Sequence, residues 1–231
     1  MGEILSANSI EGVVRKDVPE RVISRLPIYL QTVETIAATG QSTVSSETLA
    51  ARSGVSSSIL RKDLSQLGRS GRRGVGYSCE DLASTLRTFL GLDRARTIAI
   101  IGAGRLGSAL ADYAGFKRRG LSLTAIFDTD EAKIGTVIGT LPVSDLNELA
   151  TWPESIDLVV MAVPATAAPA AAHIAAEAGV RGILNFAPTV LDAPDSVRVH
   201  QVDMASELQV LAYYSALESA PLNPGFEEHR N

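Results

Sequence analysis

The chain has 231 residues and a 45% apolar composition, which is enough to bury a core in one large domain or two small ones and excludes a disordered protein. Cys79 is the only cysteine, which excludes an internal disulfide framework or a cysteine-based zinc site and fits a reducing cytosol. No apolar run reaches the ~18 residues that span a membrane, and the first residues lack the pattern of a signal peptide. A cytoplasmic protein without a membrane segment or a metal site is therefore predicted.

The net charge of −5 hides an uneven distribution along the chain. Residues 1–88 carry 11 Lys and Arg against 9 Asp and Glu, whereas residues 89–231 carry 10 against 17. A local basic cluster matters more for contact with DNA than the total charge does. Between residues 61 and 77 a single acid, Asp63, accompanies five basic residues: Arg61, Lys62, Arg69, Arg72 and Arg73.

Apolar residues recur at helical spacing from Pro19 to Gly40, and Pro27 is expected either to kink this helix or to mark its start. Residues 1–17 show no clear period and are predicted to form an arm before it. Two short helices follow, one starting at Ser45 and one capped by Ser56, with a glycine turn between them. This arrangement is typical of a helix-turn-helix.

The second of these helices, which extends to about Leu67, has the pattern of a recognition helix. Leu60, Leu64 and Leu67 lie at positions i, i+4 and i+7 and form the buried stripe. The opposite face carries short hydroxyls and long cations, which suit base edges and phosphates in a major groove: Ser58, Arg61, Lys62 and Ser65. An ordinary solvated helix face is the competing interpretation.

A glycine-rich basic segment from Gly68 to Tyr77 follows directly. Its glycines supply the positive φ angles of a tight hairpin, and Arg69, Arg72 and Arg73 suit a minor groove or backbone phosphates. A helix-turn-helix with a basic hairpin is a winged helix, so residues 1–80 are predicted to form a DNA-binding domain. A basic loop between domains is the alternative.

Residues 81–204 are predicted to form a second domain that begins with a linking helix over residues 81–90. Residues 97–101 have the composition of a buried parallel strand and precede a G-x-G-x-x-G motif. In a dinucleotide-binding unit these glycines allow a tight turn, the approach of the pyrophosphate and close packing of the next helix, whose N–H groups point at phosphate. The candidate cofactor residues here are Gly102, Ala103, Gly104, Arg105, Leu106 and Gly107.

A second apolar strand, residues 121–127, ends on Asp128, whose carboxylate can accept both ribose hydroxyls of NAD. The same charge would repel the extra phosphate of NADP, so NAD(H) is the predicted cofactor. The interval from Gly102 to Asp128 exceeds the usual spacing of about 20 residues, and the insert over residues 115–120 accounts for the difference. A glycine turn that binds nothing, or one that binds another phosphate ligand such as coenzyme A, are the alternatives.

The alternation of strands and helices continues and predicts an α/β fold of Rossmann type. Residues 137–143 are expected to form a short extended segment, residues 156–163, 182–186 and 197–202 to form strands, and residues 164–178 to form an alanine-rich helix. Ligands bind outside the carboxyl ends of the strands in open α/β sheets. This rule adds Val163, Pro164, Asn185 and Phe186 to the candidate site.

Residues 205–231 are predicted to form a C-terminal dimerisation helix and an acidic tail. The helix extends from about residue 205 to 218, and Leu208, Leu211, Tyr214 and Leu217 give it an apolar face. Burial of this face against another subunit and packing on the core of the same chain are both compatible with the pattern.

An NAD-dependent enzyme needs an acid or base that moves a proton when the hydride is transferred, and the sequence offers no clear candidate for it. His173 lies in the alanine-rich helix, His200 in a strand and His229 in the tail. The residues after Asp128 complete the sheet and the tail, which leaves no room for a catalytic domain. A cofactor site without catalysis, joined to a DNA-binding domain, predicts a sensor and not an enzyme. A small NAD-dependent oxidoreductase with a regulatory N-terminal domain is the alternative.

From Val18 to about Tyr214 the chain resembles the Rex family of redox-sensing transcriptional repressors. The resemblance is carried by short motifs in a fixed order: Arg25-Leu-Pro-Ile-Tyr29, Ser45-Ser-Glu-Thr-Leu-Ala50, Arg61-Lys-Asp-Leu-Ser65, Arg73-Gly-Val-Gly-Tyr77, Gly102 to Gly107, Ala111-Asp-Tyr113, Phe127-Asp128, Lys133-Ile-Gly135, Gly182-Ile-Leu-Asn-Phe-Ala-Pro188 and Val202-Asp203.

The resemblance implies a homodimer whose winged helices bind an inverted-repeat operator in double-stranded DNA. It also implies that the C-terminal helices are exchanged between subunits and that NAD(H) is a regulatory ligand, with NADH releasing the protein from DNA. By position, Tyr113 and Asp203 lie near the nicotinamide and take part in sensing its redox state. Lys133 belongs to a motif of the cofactor site and Tyr77 to a motif of the DNA site. Gln31 stands where the family usually has an arginine that can pair with the aspartate matching Asp203, so that contact cannot be ionic here.

Overall fold

The structure is a computed structural model that describes residues 18–219. The predicted N-terminal arm over residues 1–17 and the acidic tail beyond residue 219 lie outside the described residues. The chain divides into two compact units between Ala95 and Arg96.

The first unit is mainly helical. Its elements are α1 (Glu20–Ile23), α2 (Leu26–Ala38), β1 (Thr43–Val44), α3 (Ser46–Arg52), α4 (Ser57–Gln66), β2 (Tyr77–Ser78) and α5 (Cys79–Leu90). Pro27 lies in the first turn of α2, where its missing N–H breaks no helical bond. The proline therefore marks the start of this helix and does not kink it.

The helix-turn-helix consists of α3 and α4, and serine side chains cap both helices. Ser45 Oγ accepts a hydrogen bond from Thr48 N at 3.0 Å, and Ser56 Oγ accepts one from Ile59 N at 3.3 Å. Gly54 makes the turn between the helices with a φ of +71°. Because the leucine stripe of α4 is turned into the core, the opposite face of this helix is exposed.

A short hairpin follows α4 and forms the wing. Arg72 N donates to Gly76 O at 2.8 Å, and Gly76 N donates to Arg72 O at 2.9 Å. β2, which continues from the hairpin, pairs antiparallel with β1. The helix-turn-helix and the hairpin therefore form the predicted winged helix.

α5 belongs to the first unit, which differs from the predicted domain boundary at residue 80. Leu82 and Leu86 on α5 are buried in the same core as Tyr29 of α2 and Leu64 of α4. Without α5 this core would be open to water, so the compact unit extends to residue 95.

The second unit is an α/β domain around a seven-stranded sheet. Its strands are β3 (Arg96–Ile101), β4 (Leu121–Asp128), β5 (Val137–Ile138), β6 (Leu141–Asp145), β7 (Leu158–Met161), β8 (Gly182–Asn185) and β9 (Arg198–Gln201). Its helices are α6 (Arg105–Ala111), α7 (Gly115–Arg118), α8 (Ala168–Glu177), α9 (Met204–Ser219) and a 3-10 helix (Leu146–Thr151).

The strand order is β5-β6-β4-β3-β7-β8-β9, and every neighbouring pair is parallel except β5 with β6. Without β5 this is the strand order of the doubly wound Rossmann fold. Successive residues of the strands alternate between two cores, since Ile101 packs on the side of α8 and Ile100 on the side of α6 and α7. The strand order reverses between β3 and β7, which places the ligand-binding crevice of such sheets at their carboxyl ends.

The predicted extended segment over residues 137–143 is a hairpin. Gly139 turns it with a φ of +60°, and β5 pairs back on β6. The turn glycine lies within the apolar run, so the alternating pattern alone did not distinguish one strand from two.

The described side chains of α9, those of residues 204–216, are all exposed. Met204, Leu208, Leu211 and Tyr214 are 58–65% exposed. Packing of this apolar face on the core of the same chain is therefore wrong for the described side chains; that of Leu217 lies outside them. Among the helices of residues 18–219, none has the length and apolarity that crossing a bilayer requires.

Candidate functional site

The glycine-rich turn joins β3 to α6 at the crevice. Gly102 has a φ of +108°, and a Cβ there would overlap the carbonyl oxygen of Ala162 in the loop after β7. A Cβ on Gly107 would overlap the carbonyl oxygen of Gly102, so a side chain at 107 would push α6 away from β3. Gly104 differs, because a Cβ there would meet no protein atom within 4 Å. Two of the glycines thus allow close packing, and the third keeps the outer side of the turn open.

Four backbone N–H groups at this turn have no acceptor within residues 18–219: those of Gly104, Arg105, Leu106 and Gly107. The first bond of α6 is the one from Ser108 N to Gly104 O, at 2.9 Å. Unpaired N–H groups beside an open space fit an anionic ligand such as a pyrophosphate.

Asp128 ends β4 and is 8% exposed. Its Oδ1 accepts hydrogen bonds from Thr129 N at 2.8 Å and Asp130 N at 2.9 Å, and its Oδ2 accepts one from Ala103 N at 2.7 Å. Burial favours the neutral acid, but these backbone N–H groups and the Lys133 ammonium outweigh it and lower the pKa of Asp128. The side chain is therefore an anion that also holds the glycine-rich turn to β4.

Lys133 Nζ donates to Asp128 Oδ2 at 3.0 Å and lies 3.6 Å from Asp130 Oδ2. With this bond all four acceptor positions of the Asp128 carboxylate are used. Three of the donors are backbone groups, whereas Lys133 is a flexible side chain that is 39% exposed. The ammonium is therefore the donor that a ribose hydroxyl can replace without moving the backbone.

The predicted residues after β7 lie beside the glycine-rich turn. Ala162 N donates to Ile101 O at 2.8 Å, which continues the pairing of β7 with β3 past the end of the strand. Val163 is partly buried and its Cγ1 lies close to the position of a Cβ on Gly102, while Pro164 is exposed. The loop after β7 thus places the apolar side chain of Val163 beside the glycines.

Asn185 is completely buried at the end of β8, and its side chain bonds only to the protein. Its Nδ2 donates to Thr189 O at 2.9 Å and to Gln201 Oε1 at 2.7 Å, and its Oδ1 accepts from Ala187 N at 3.0 Å. Gln201, which the sequence did not single out, donates in turn to Ala187 O at 2.9 Å. This amide pair shapes the loop that carries Phe186 and ties it to β9. Asn185 thus has a structural role. The sequence had predicted it only as a residue of the cofactor site.

The two residues expected near the nicotinamide are both exposed. The Tyr113 ring packs edge-on against Phe116, with 5.2 Å between ring centroids. Asp203 begins α9: its Oδ1 accepts from Ala205 N at 2.9 Å and its Oδ2 from Ser206 Oγ at 2.7 Å. The Ser206 hydroxyl and backbone N–H groups lower the pKa of Asp203, so it is an exposed anion.

The predicted DNA-contacting residues of α4 and the wing are on the surface of the first unit. Those of α4 are Ser58, Arg61, Lys62 and Ser65, those of the wing are Arg69, Arg72 and Arg73, and all seven are exposed. A groove of about 420 Å³ lies between α4 and the wing and is lined by Arg61, Arg72 and Arg73. Tyr77 is 7% exposed at this groove, and burial raises the pKa of its phenol. It packs under the hairpin near Gly71 and supports the wing.

Asp63 is a buried acid in α4 whose structural role was not predicted from the sequence. Asp63 is 3% exposed and accepts hydrogen bonds from Arg25 Nε at 2.7 Å, from Arg25 Nη2 at 2.8 Å and from the Tyr29 hydroxyl at 2.8 Å. Arg25 and Tyr29 lie at the start of α2, so this network fixes α4 against α2. Asp63 follows Leu60 by three positions, which places it at the edge of the buried stripe and is the signal that would have found it.

Cys79 is buried at the start of α5, and burial raises the pKa of its thiol, so the reactive thiolate is disfavoured. In the part of the chain that the structure describes, no three His, Cys, Asp or Glu side chains are grouped as a metal site would need.

A winged helix with a basic exposed face and a Rossmann-type domain with an anion-binding turn define a class of protein, the ligand-responsive transcription regulators. The chain is 42% identical over 199 residues to the redox-sensing transcriptional repressor Rex of Carboxydothermus hydrogenoformans, a match that covers 85% of this chain and 95% of the relative. The chain belongs to the Rex family of redox-sensing transcriptional repressors. Its relatives are named as repressors and not as enzymes.

Further comparisons agree. The Rex repressor of Syntrophomonas wolfei is 43% identical over 204 residues, covering 87% of this chain and 97% of the relative. A solved structure described as RSP in complex with beta-NAD+ and operator DNA is 33% identical with a TM-score of 0.80, covering 87% of this chain and 94% of that one. RSP in complex with beta-NADH is 32% identical with a TM-score of 0.77, covering 88% and 97%. Two family models match, "Putative DNA-binding protein N-terminus" over residues 14–65 and "CoA binding domain" over residues 93–189.

Proposed function

We propose that this protein is a cytoplasmic homodimeric repressor that binds inverted-repeat operator DNA through its winged helices and leaves it when NADH binds. The observation that carries the proposal is the pairing, in one chain, of the Gly102–Gly107 turn and ionised Asp128 with the basic exposed face of α4 and the wing. The first compact unit, which extends to Ala95, supplies the DNA-binding head, residues 96–204 the cofactor domain and residues 205–231 the dimerisation segment.

The residues of the crevice fit NAD(H). The free N–H groups at the turn would hold the pyrophosphate, Asp128 the adenosine ribose, and the loops after β7 and β8 the nicotinamide end. The nicotinamide supplies the redox signal, because its ring is a cation when oxidised and neutral when reduced. The proposed ligand residues are Gly102, Ala103, Gly104, Arg105, Leu106, Gly107, Asp128, Lys133, Val163, Pro164, Phe186, Tyr113 and Asp203, with Asn185 acting through the loop that it shapes.

Replacing Asp128 with alanine is expected to lower NADH affinity roughly 10- to 100-fold, since a hydrogen bond to a charged group contributes about 1.5–3 kcal/mol. NADPH affinity should change less, because the variant also removes the charge that repels the extra phosphate and frees Lys133. Titration of each nucleotide by fluorescence measures both. Asp130→Ala is the matched control, since Asp130 is the neighbouring exposed acid. An unchanged NADH affinity in Asp128→Ala would remove this residue from the ribose site.

Coenzyme A is the second candidate ligand, because the family model over residues 93–189 is described as a CoA binding domain. Coenzyme A carries a phosphate on the 3′-hydroxyl of its ribose, and the ionised, buried Asp128 would repel it as it repels the phosphate of NADP. Calorimetry with NADH and coenzyme A side by side separates the two ligands. Tighter binding of coenzyme A would replace NADH in the proposal.

The exposed face of α9 supports a dimer. Monomeric soluble proteins rarely expose an apolar patch larger than a few hundred Å², yet Met204, Leu208, Leu211 and Tyr214 are more than half exposed. We propose that a second copy of the chain covers them by exchange of the C-terminal helices. An inverted-repeat operator has the same two-fold symmetry as such a dimer.

The sensing step requires that NADH bind the DNA-incompetent dimer more tightly than the DNA-bound one, since only differential affinity shifts a population. The test is a gel shift with an inverted-repeat duplex, in which NADH is titrated against excess NAD⁺, together with a light-scattering mass. We expect a complex that contains two chains and that NADH dissociates. A complex that persists at saturating NADH would overturn the sensing half, and the absence of any complex would overturn the DNA half.

A further inference from the structure

One acidic side chain lies in the basic groove of the winged helix. Of the residues that line the groove, Glu47 is the only acid, beside Arg61, Arg72 and Arg73. Glu47 stands at the second position of α3, and its side chain is 68% exposed. An acid on a surface that approaches phosphates weakens binding to every DNA sequence, so its presence there needs an explanation.

The carboxylate of Glu47 contacts the arginine of the recognition helix. Arg61 Nη1 donates to Glu47 Oε1 at 3.2 Å and to Ser46 Oγ at 3.3 Å, and Arg61 Nη2 donates to Ser57 Oγ at 3.4 Å. Ser46 Oγ also donates to Glu47 Oε1, at 3.1 Å. These contacts come from both helices of the helix-turn-helix, and they hold the guanidinium on one side.

The other side of the guanidinium stays available. Arg61 Nε has no acceptor among the described residues, and Nη2 has only the long contact to Ser57 Oγ at 3.4 Å. A side-on pair of donors is what a bidentate contact to O6 and N7 of guanine needs. Glu47 and Ser46 thus hold Nη1, while the edge formed by Nε and Nη2 carries only the long contact to Ser57.

We propose that Glu47 is a specificity-determining residue for operator recognition, which orients Arg61 for a base and penalises its use as a contact to any nearby phosphate. This inference rests on the proposed DNA-binding function. On the correct sequence Arg61 gains two hydrogen bonds to the base while it keeps Glu47. On other sequences the guanidinium would have to leave Glu47 to reach a phosphate, and the phosphate would approach the carboxylate. Specificity is a difference of two affinities, and Glu47 acts mainly on the weaker one.

The test compares a duplex that the protein itself selects from a randomised library with poly(dI–dC), and the matched control is Glu80→Gln. Glu80 occupies the second position of α5, so both substitutions remove one charge from the first turn of a helix in the same domain. Glu47→Gln is expected to raise affinity for poly(dI–dC) about tenfold while affinity for the selected duplex stays level or falls, because like charges brought together weaken association. Glu80→Gln should preserve the ratio, and Glu47→Asp, which keeps the charge, should bind poly(dI–dC) as weakly as the unmodified protein.

A double-mutant cycle decides whether Glu47 acts through Arg61. In an Arg61→Ala background, Glu47→Gln should leave the ratio of the two affinities unchanged. The proposal would be overturned if Glu47→Gln caused an equal loss of specificity with and without Arg61. It would also be overturned if the Glu47→Gln protein kept the full ratio of the two affinities. If the unmodified protein prefers no duplex, the proposed DNA-binding function fails. If it does prefer a duplex and Glu47→Gln keeps that preference, only the proposed role of Glu47 fails.

Discussion

Replacing Gly107 with alanine should abolish NADH sensing while the DNA-binding head stays intact. A methyl group there would overlap the carbonyl oxygen of Gly102 and lie 3.3 Å from Ile100 Cγ2. The first neighbour is backbone and cannot rotate away, so α6 must shift from β3 and carry the free N–H groups of the turn with it. A hydrogen bond to a charged group contributes about 1.5–3 kcal/mol, so misplacing these N–H groups should lower NADH affinity on the order of 100-fold or more.

Two other variants isolate the cause of this loss. Ala109→Ser changes an exposed position of the same helix and should leave NADH affinity unchanged. Gly104→Ala meets no protein atom, so it should fold normally and yet lose NADH, because its methyl group would fill the space on the outer side of the turn. Calorimetry with NADH and a gel shift without NADH measure the two functions. Normal NADH binding by both glycine variants would show that the turn does not hold the pyrophosphate.

The role of Gly107 could be anticipated because it follows from a short-range rule. A Cβ at Gly107 is excluded by atoms five residues earlier in the chain, and the helix caps at Ser45 and Ser56 join groups three residues apart. The α/β fold with parallel strands followed from the alternation of apolar runs and helices, since parallel strands need crossover connections. Local spacing therefore carries most of the fold.

The features that were not predicted depend on partners distant in sequence. Gln201 is polar and lies in a short strand, and nothing near it in the chain indicates that it pairs with Asn185. The inclusion of α5 in the first unit depends on contacts with α2, more than 40 residues earlier. Glu47 in the groove is of the same kind, because its contact with Arg61 depends on how two helices cross.

Replacing Arg25 with alanine should unfold the DNA-binding head or come close to it. Asp63 would keep only the Tyr29 hydroxyl as a donor, and a buried carboxylate that loses its cationic partner costs about 3–5 kcal/mol. That is a large part of the ~5–15 kcal/mol by which a domain is stable. Because α4 carries Arg61 and Lys62, operator binding should be lost with it. NADH binding should persist, since the second unit has its own cores.

Two spectroscopic probes distinguish the units during urea unfolding. Trp152 is the only tryptophan and packs against Phe127 in the second unit, so its fluorescence follows that unit, whereas far-UV circular dichroism follows both. In Arg25→Ala a dichroism transition should move to lower urea while the fluorescence transition stays in place. The exposed Arg52→Ala is the charge-matched control.

The double variant Arg25→Met with Asp63→Leu tests whether the lost stability comes from the unpaired charge or from lost packing. An apolar pair of similar volume avoids the cost of burying ions, so the double variant should recover part of the stability that Arg25→Ala loses, less the cost of the Tyr29 hydroxyl that loses its acceptor. Tyr29 gives an independent check, because burial and Asp63 raise its pKa from 10.0 to about 12. The neutral phenol is favoured in the folded head, so its contribution to stability is complete below pH 10 and is lost as the pH rises towards about 12. A stability that does not change over this range, or an Arg25→Ala variant as stable as the unmodified head, would contradict the role assigned to the Asp63 network.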